Sequence, residues 1–129
     1  MTCFYMNGIL WHVEVSKNTS PMLVDRTGTS RLGTTDLSTH TVYLSDALDE
    51  DMKARVLIHE LGHCALLSYN LLYDIHKMVR KEYWLEAEEW LCNYLTDYGI
   101  YIFEALFEVL GPSALNAIPK QFDILLGAA

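Results

Sequence analysis

Apolar and polar residues alternate along Ile9-Leu-Trp-His-Val-Glu-Val15, a run rich in β-forming side chains, and predict a first strand there. A polar turn follows at 16–21, and Met22 to Asp25 reads as a short second strand. Residues 26–39 are dense in Thr, Ser and Gly, with Gly28 and Gly33 as turn points, and predict a surface loop. His40-Thr-Val-Tyr-Leu-Ser45 returns to a strand pattern. It is expected to lie at a sheet edge, either open to an added strand or covered by a loop. The period then changes to that of a helix. Glu50 to Tyr69 forms one long helix, capped by Asp46 or Asp49, with acids in its first turn and Asn70 at its end. Residues 71–81 are amphipathic and helical. Glu82 to Tyr98 forms a further helix whose apolar stripe is Trp84, Leu91, Leu95 and Tyr98. Gly99 bends or ends it. Ile100 to Leu110 is another helix, closed by Gly111-Pro112. Ser113 caps a last short helix that Pro119 interrupts, and the tail 127–129 frays. The pattern gives an α+β fold: one domain over 1–129, with a small, mostly antiparallel sheet packed on the long helix and a helical C-terminal half.

Composition narrows the function. The 129 residues suffice for one domain with a real core. A formal net charge of −8 argues against a nucleic-acid groove or an anionic membrane surface as partner and favours a protein or peptide. The three cysteines, Cys3, Cys64 and Cys92, lack paired spacing, which excludes a disulfide framework and points to a reducing, cytoplasmic setting. Cys64 and Cys92 read as small buried apolar groups. No basic stretch precedes an apolar run at the N-terminus, so no signal peptide is expected. The run 100–110 is too short, and too interrupted by Glu104 and Glu108, to span a bilayer. Gly28 and Gly33 lack the spacing of a phosphate loop.

The chemistry lies in the long helix, at Val56-Leu-Ile-His59-Glu60-Leu-Gly-His63-Cys-Ala65. Residues four apart on a helix project from one face, so the two imidazoles can reach a single zinc ion. Glu60, next to the first ligand, is placed to take a proton from a zinc-activated water attacking a carbonyl. A chance occurrence of this motif would usually fall on a polar surface. Here it falls in an apolar run, where two histidines and a glutamate need partners, and a metal supplies one. Gly62 within this helix weakens it by about 1 kcal/mol relative to Ala, so a close approach by the strand or the metal site is expected there.

A third ligand must come from elsewhere. Projected at helical pitch, Glu88 falls in the middle of the stripe of 82–98, Glu89 at its edge near Leu85 and Cys92, and Glu86 on the polar face with Asn93 and Asp97. A carboxylate in the centre of a buried stripe needs a partner, so Glu88 is the first choice, then Glu89, then Glu86. Against this stands the reading in which all three acids are solvated. His12 reads as a surface or structural residue, and His76 as part of a solvated face.

The order of a strand, Gly33-Thr-Thr-Asp36, a strand over 41–44 and then His-Glu-Leu-Gly-His resembles the small ImmA/IrrE-type metallopeptidases and their phage and prophage relatives. In that family the downstream helix carries Glu-x-x-Ala-x-x-x-Ala with an aromatic before the second Ala. Glu88, Leu91, Tyr94 and Leu95 take those places here, with Leu at both Ala positions and no Leu-Leu-x-Pro afterwards. The resemblance covers roughly residues 11–99. It implies a minimal zincin-like domain, zinc held by His59, His63 and Glu88, and Glu60 as general base. It also implies cleavage of a specific protein such as a repressor of a mobile element. Tyr98 and His76 are candidates for stabilising the oxyanion. Two rival readings remain: a binding protein on the same scaffold without catalysis, and a structural component that uses zinc only to fold.

Overall fold

Asn7 and Gly8, at φ 49° and 78°, make the tight turn of a hairpin between two antiparallel strands, β1 (Thr2–Met6) and β2 (Ile9–Ser16). An Asn-Gly pair tolerates two successive positive φ angles, which match the twist of the flanking strands. The sequence reading began its sheet at Ile9 and passed over this turn signal, so β1 is an added strand. The computed structural model describes residues 2–117. The expectations for Pro119 and for the tail lie outside the described residues.

The second strand expected at Met22 to Asp25 is instead a 3-10 turn, Pro21–Leu23, whose start is fixed by Ser20 Oγ accepting from Met22 N–H. Only Val24 is bridged, to Ser30. The Thr/Gly-rich segment read as loop contains a strand, β3 (Gly33–Asp36), which precedes β4 (Thr41–Ser45). The sheet order is β1-β2-β4-β3. The outer pairs are antiparallel and β2–β4 is parallel, so the sheet is mixed, with two of its three pairings antiparallel. β4 therefore lies inside the sheet rather than at its edge. Its burial agrees: Val42, Leu44 and Ser45 are almost wholly excluded from solvent. β3 is the edge. Ser45 N–H donates to Leu32 O at 2.9 Å, making that facing pair a hydrogen-bonded one. Such pairs alternate along an antiparallel ladder, so Thr34 and Asp36 bond to β4, while the main-chain groups of Gly33 and Thr35 face the open edge.

Alternation decides the core. Phe4, Met6, Ile9, Trp11, Val13, Val42 and Leu44 line one face of the sheet, and α1 (Glu50–Ser68) lies on it with Val56, Leu57, Cys64 and Leu67. Asp49 caps α1, its side chain accepting from Met52 N–H at 2.8 Å, and Asn70 at φ 56° turns the chain after it. The far end of α1 is tied to the hairpin. Trp11 Nε1 donates to Ser68 Oγ and Asn7 Nδ2 to Ser68 O, both at 2.8 Å. Two shorter elements follow, α2 (Leu72–Met78) and a 3-10 turn at Lys81–Tyr83, where one helix over 71–81 was expected. Next comes α3 (Trp84–Tyr94), which widens into a π turn over Leu95–Gly99.

The chain forms two compact units, residues 1–96 and 97–129. All the elements above down to α3 belong to the first. The second contains α4 (Ile100–Leu110), with Phe103 and Phe107 in ring contact, and a 3-10 stretch, Gly111–Ala117. Ser113 does not cap that stretch. Its Oγ donates back to Leu110 O. Among the described residues no helix is long and apolar enough to cross a membrane.

Candidate metal centre

The motif sits in the middle of α1, sandwiched between β3 on one side and α3 on the other. Two glycines permit the sandwich. A Cβ at Gly33 would come within 2.5 Å of Val56 Cγ1, so the edge strand touches α1 there. A Cβ at Gly62 would lie 2.9 Å from Cys92 Sγ and 3.4 Å from Cys92 Cα. The close neighbour of Gly62 is thus α3, not the strand or the metal site.

That approach brings α3 against the two imidazoles. Glu89 Oε2 lies 3.0 Å from His59 Nε2, and Glu89 Oε1 lies 3.0 Å from His63 Nε2. The three side chains present ligand atoms all within 4.8 Å of one another. Tetrahedral zinc bonds of about 2.0–2.1 Å separate two ligand atoms by about 3.3 Å, so a bound ion would draw these side chains closer together than the 4.8 Å that bounds them here. Two imidazoles and one carboxylate are a donor set that could hold a zinc ion. Hydrogen bonds from His59 and His63 hold the Glu89 carboxyl well below its usual range, so it is ionised. The bond to Glu89 raises His59. Asn93, one turn beyond Glu89, lines the same cleft as His59.

Glu88, the expected third ligand, is not part of this group. Its side chain is buried, as the projection required, but it faces α2. His76 Nε2 donates to Glu88 Oε2 at 3.2 Å, and Arg26 approaches the other oxygen at 4.0 Å. His76 stacks on Trp84 at 4.1 Å, and Trp84 Nε1 donates to the His76 carbonyl. His76 is therefore the partner of a buried acid rather than part of a solvated face. α3 thus turns the buried Glu88 toward α2 and the half-buried Glu89 toward α1. Glu86 and Tyr98 are not in the metal-ligating group.

Glu60 lies beside the group, 5% exposed, its Oε2 3.9 Å from His59 Nε2. Thr35 Oγ1 on the edge strand donates to Glu60 Oε1 at 2.8 Å. Burial raises the Glu60 carboxyl above its ordinary value, against the lowering by Thr35 and the two histidines. Sequence periodicity gives no sign of Thr35, while Asn93 is exposed as its place on the polar face predicts. Only the i, i+4 spacing of Glu89 and Asn93 carried a signal. Cys64 and Cys92 are fully buried, and burial pushes both thiols up to about 12, as befits packing groups.

These residues floor a cleft of about 760 Å³. One wall is β3, another the half of α3 that carries Glu89 and Asn93, and the segment 21–32 contributes Arg26 and Arg31 to the lining. No protein-family model, curated protein or solved structure matches the chain.

Proposed function

We propose that the protein is a zinc-dependent peptidase in which His59, His63 and Glu89 hold the metal and Glu60 is the general base. One observation carries the reading. The imidazole and carboxylate atoms of two helices converge within 4.8 Å in a cleft, with a buried carboxylate of raised pKa next to them. A bound zinc ion supplies water activation and polarisation of the scissile carbonyl. The remaining work belongs to the chain. Thr35 fixes the Glu60 carboxylate through its Oγ1, leaving Oε2 to take the proton of the attacking water and deliver it to the departing amine. Burial raises the pKa of Glu60, which makes the carboxylate a stronger proton acceptor. The open edge at Gly33 and Thr35 offers main-chain groups to a substrate laid antiparallel along β3, beside Glu60. The substrate is a specific protein or peptide. Regulatory proteins of mobile elements, such as repressors, are the class the ImmA/IrrE-type resemblance implies.

The test is zinc stoichiometry by elemental analysis on wild type, Glu88→Ala, Glu89→Ala and Glu60→Gln, followed by hydrolysis of a peptide library. Wild type, Glu88→Ala and Glu60→Gln are expected to bind one zinc per chain, and Glu89→Ala to lose it. Turnover should fall in Glu60→Gln by a factor of about 10²–10⁴, the usual contribution of a general base. Loss of zinc in the Glu88 variant alone, or undiminished hydrolysis by Glu60→Gln, would overturn the assignment.

A further inference from the structure

The segment 21–32 that lines the cleft is built around one carboxylate. Asp25 Oδ1 accepts from Thr27 N–H at 2.8 Å, Thr27 Oγ1 at 2.6 Å and Thr29 N–H at 3.0 Å. Asp25 Oδ2 accepts from Arg31 Nε at 2.7 Å. Arg31 N–H also donates to Leu23 O at 2.7 Å, so the residue is fixed at its backbone and at its guanidinium. The Nε contact leaves both terminal amino groups of the guanidinium, with four N–H donors, unengaged by the described residues. The side chain is 56% exposed and lines the cleft that holds His59, Glu60, His63 and Glu89. The charges of Glu89 and Glu60 act on it through space.

Neither of those carboxylates satisfies Arg31. Glu60 is held by Thr35, and Glu89 by the two histidines. Asp25 has its other oxygen filled by the loop. An arginine whose stem is anchored and whose fork is open loses little conformational freedom on binding, and its two terminal nitrogens match the two oxygens of a carboxylate. A molecule of net charge −8 thus presents a fixed cation on its substrate wall. The same lining carries Arg26 and Arg55 and the carboxylates Asp25, Asp36, Glu60 and Glu89.

We infer that Arg31, positioned by Asp25, is a specificity residue that selects an acidic side chain of the bound peptide, so that the substrate carries Asp or Glu close to the bond that is cut. This rests on the peptidase reading for the identity of the ligand as a peptide, and its test does not need turnover.

The experiment is fluorescence titration of the full-length Glu60→Gln protein with two dansylated, C-terminally amidated heptapeptides that differ only in carrying two glutamates or two glutamines. The glutamate peptide is expected to bind about tenfold more tightly, the scale of one charge-assisted bidentate contact. In Arg31→Gln the ratio should fall below about twofold, while Lys53→Gln, which removes an equal charge from α1 outside the cleft, should leave it unchanged. Equal binding of the two peptides, absence of binding by both, survival of the preference in Arg31→Gln, or its equal loss in Lys53→Gln would each overturn the inference. Zinc stoichiometry and library hydrolysis judge the peptidase reading separately, so the two can fail independently.

Discussion

Glu88 and Glu89 are neighbours in sequence, yet they serve different helices. Pattern reasoning was right that Glu88 is buried and that a buried carboxylate must have a partner. It failed at the next step, in taking the metal as the only partner on offer, because it had assigned His76 to solvent. A one-residue difference rotates a helical side chain by about 100°, enough to move it from the α2 side of α3 to the α1 side. The metal-ligand residues also set a pH dependence. In the metal-free protein Glu89 is lowered from 4.5, so its contribution is present above that value and is lost as pH falls through its folded pKa. His59 is raised from 6.5, so its contribution is full below 6.5 and is lost as pH rises through its folded pKa. The metal-free protein is therefore best supported by this cluster between 4.5 and 6.5. Zinc requires neutral imidazoles and displaces the His59 proton. The gain in melting temperature on adding zinc is thus expected to increase steadily from pH 5.5 to pH 8, measured by differential scanning calorimetry. A gain that is flat or shrinks over that range would mean that His59 is not displaced from its proton by the metal.

At the scale of elements, the contact between α1 and α3 is what makes the centre, and Gly62 is its tightest point. Gly62→Ala would gain about 1 kcal/mol in helix propensity. The added methyl would meet a fully buried sulfur at 2.9 Å and backbone at 3.4 Å, and overpacking of that kind costs about 1–3 kcal/mol. The expected net effect is a loss of stability of up to about 2 kcal/mol in urea unfolding, together with weaker zinc binding as α3 is pushed outward. Cys92→Ala, which removes the sulfur, should restore part of both in the double variant, and strict additivity of the two substitutions would refute the contact. The same elements show what was legible. Long periodic segments declared themselves: α1 and its Asp49 cap, α4 and its Gly111 end, and β2 all lie where the pattern put them. The sheet was less legible. Gly33-Thr-Thr-Asp36 lacks the apolar alternation of a strand with one buried face, because all four of its residues are half-buried and carry glycine, threonine and aspartate rather than apolar side chains. β4 was read as an edge because it immediately precedes the helix, while strand order is set by pairings distant in sequence. The Asn7-Gly8 turn was legible and was passed over.

At the scale of the whole chain, every residue of the proposed chemistry lies before the π turn that ends α3. The sheet, α1, the metal-ligating side chains, the base with its Thr35 donor, and the Asp25–Arg31 device all belong to residues 1–96. Their mutual supports are internal to that unit as well: the hairpin holds the end of α1 through Ser68, and Cys92 packs on Gly62. Such a unit should bind the proposed metal when the rest of the chain is removed. A fragment ending at Thr96 is expected to bind one zinc per chain with an affinity within about tenfold of the full protein, a difference of about 1.4 kcal/mol, by competition with a chromogenic chelator. Hydrolysis of the peptide library by the same fragment then separates two roles for residues 97–129. Unchanged turnover would confine the machinery to the first unit. Zinc retained with turnover lost would assign the second unit to substrate binding, since the ligands and the base would still be in place. A fragment that keeps its helical circular dichroism yet takes up no zinc would contradict the construction of the centre from α1 and α3 alone.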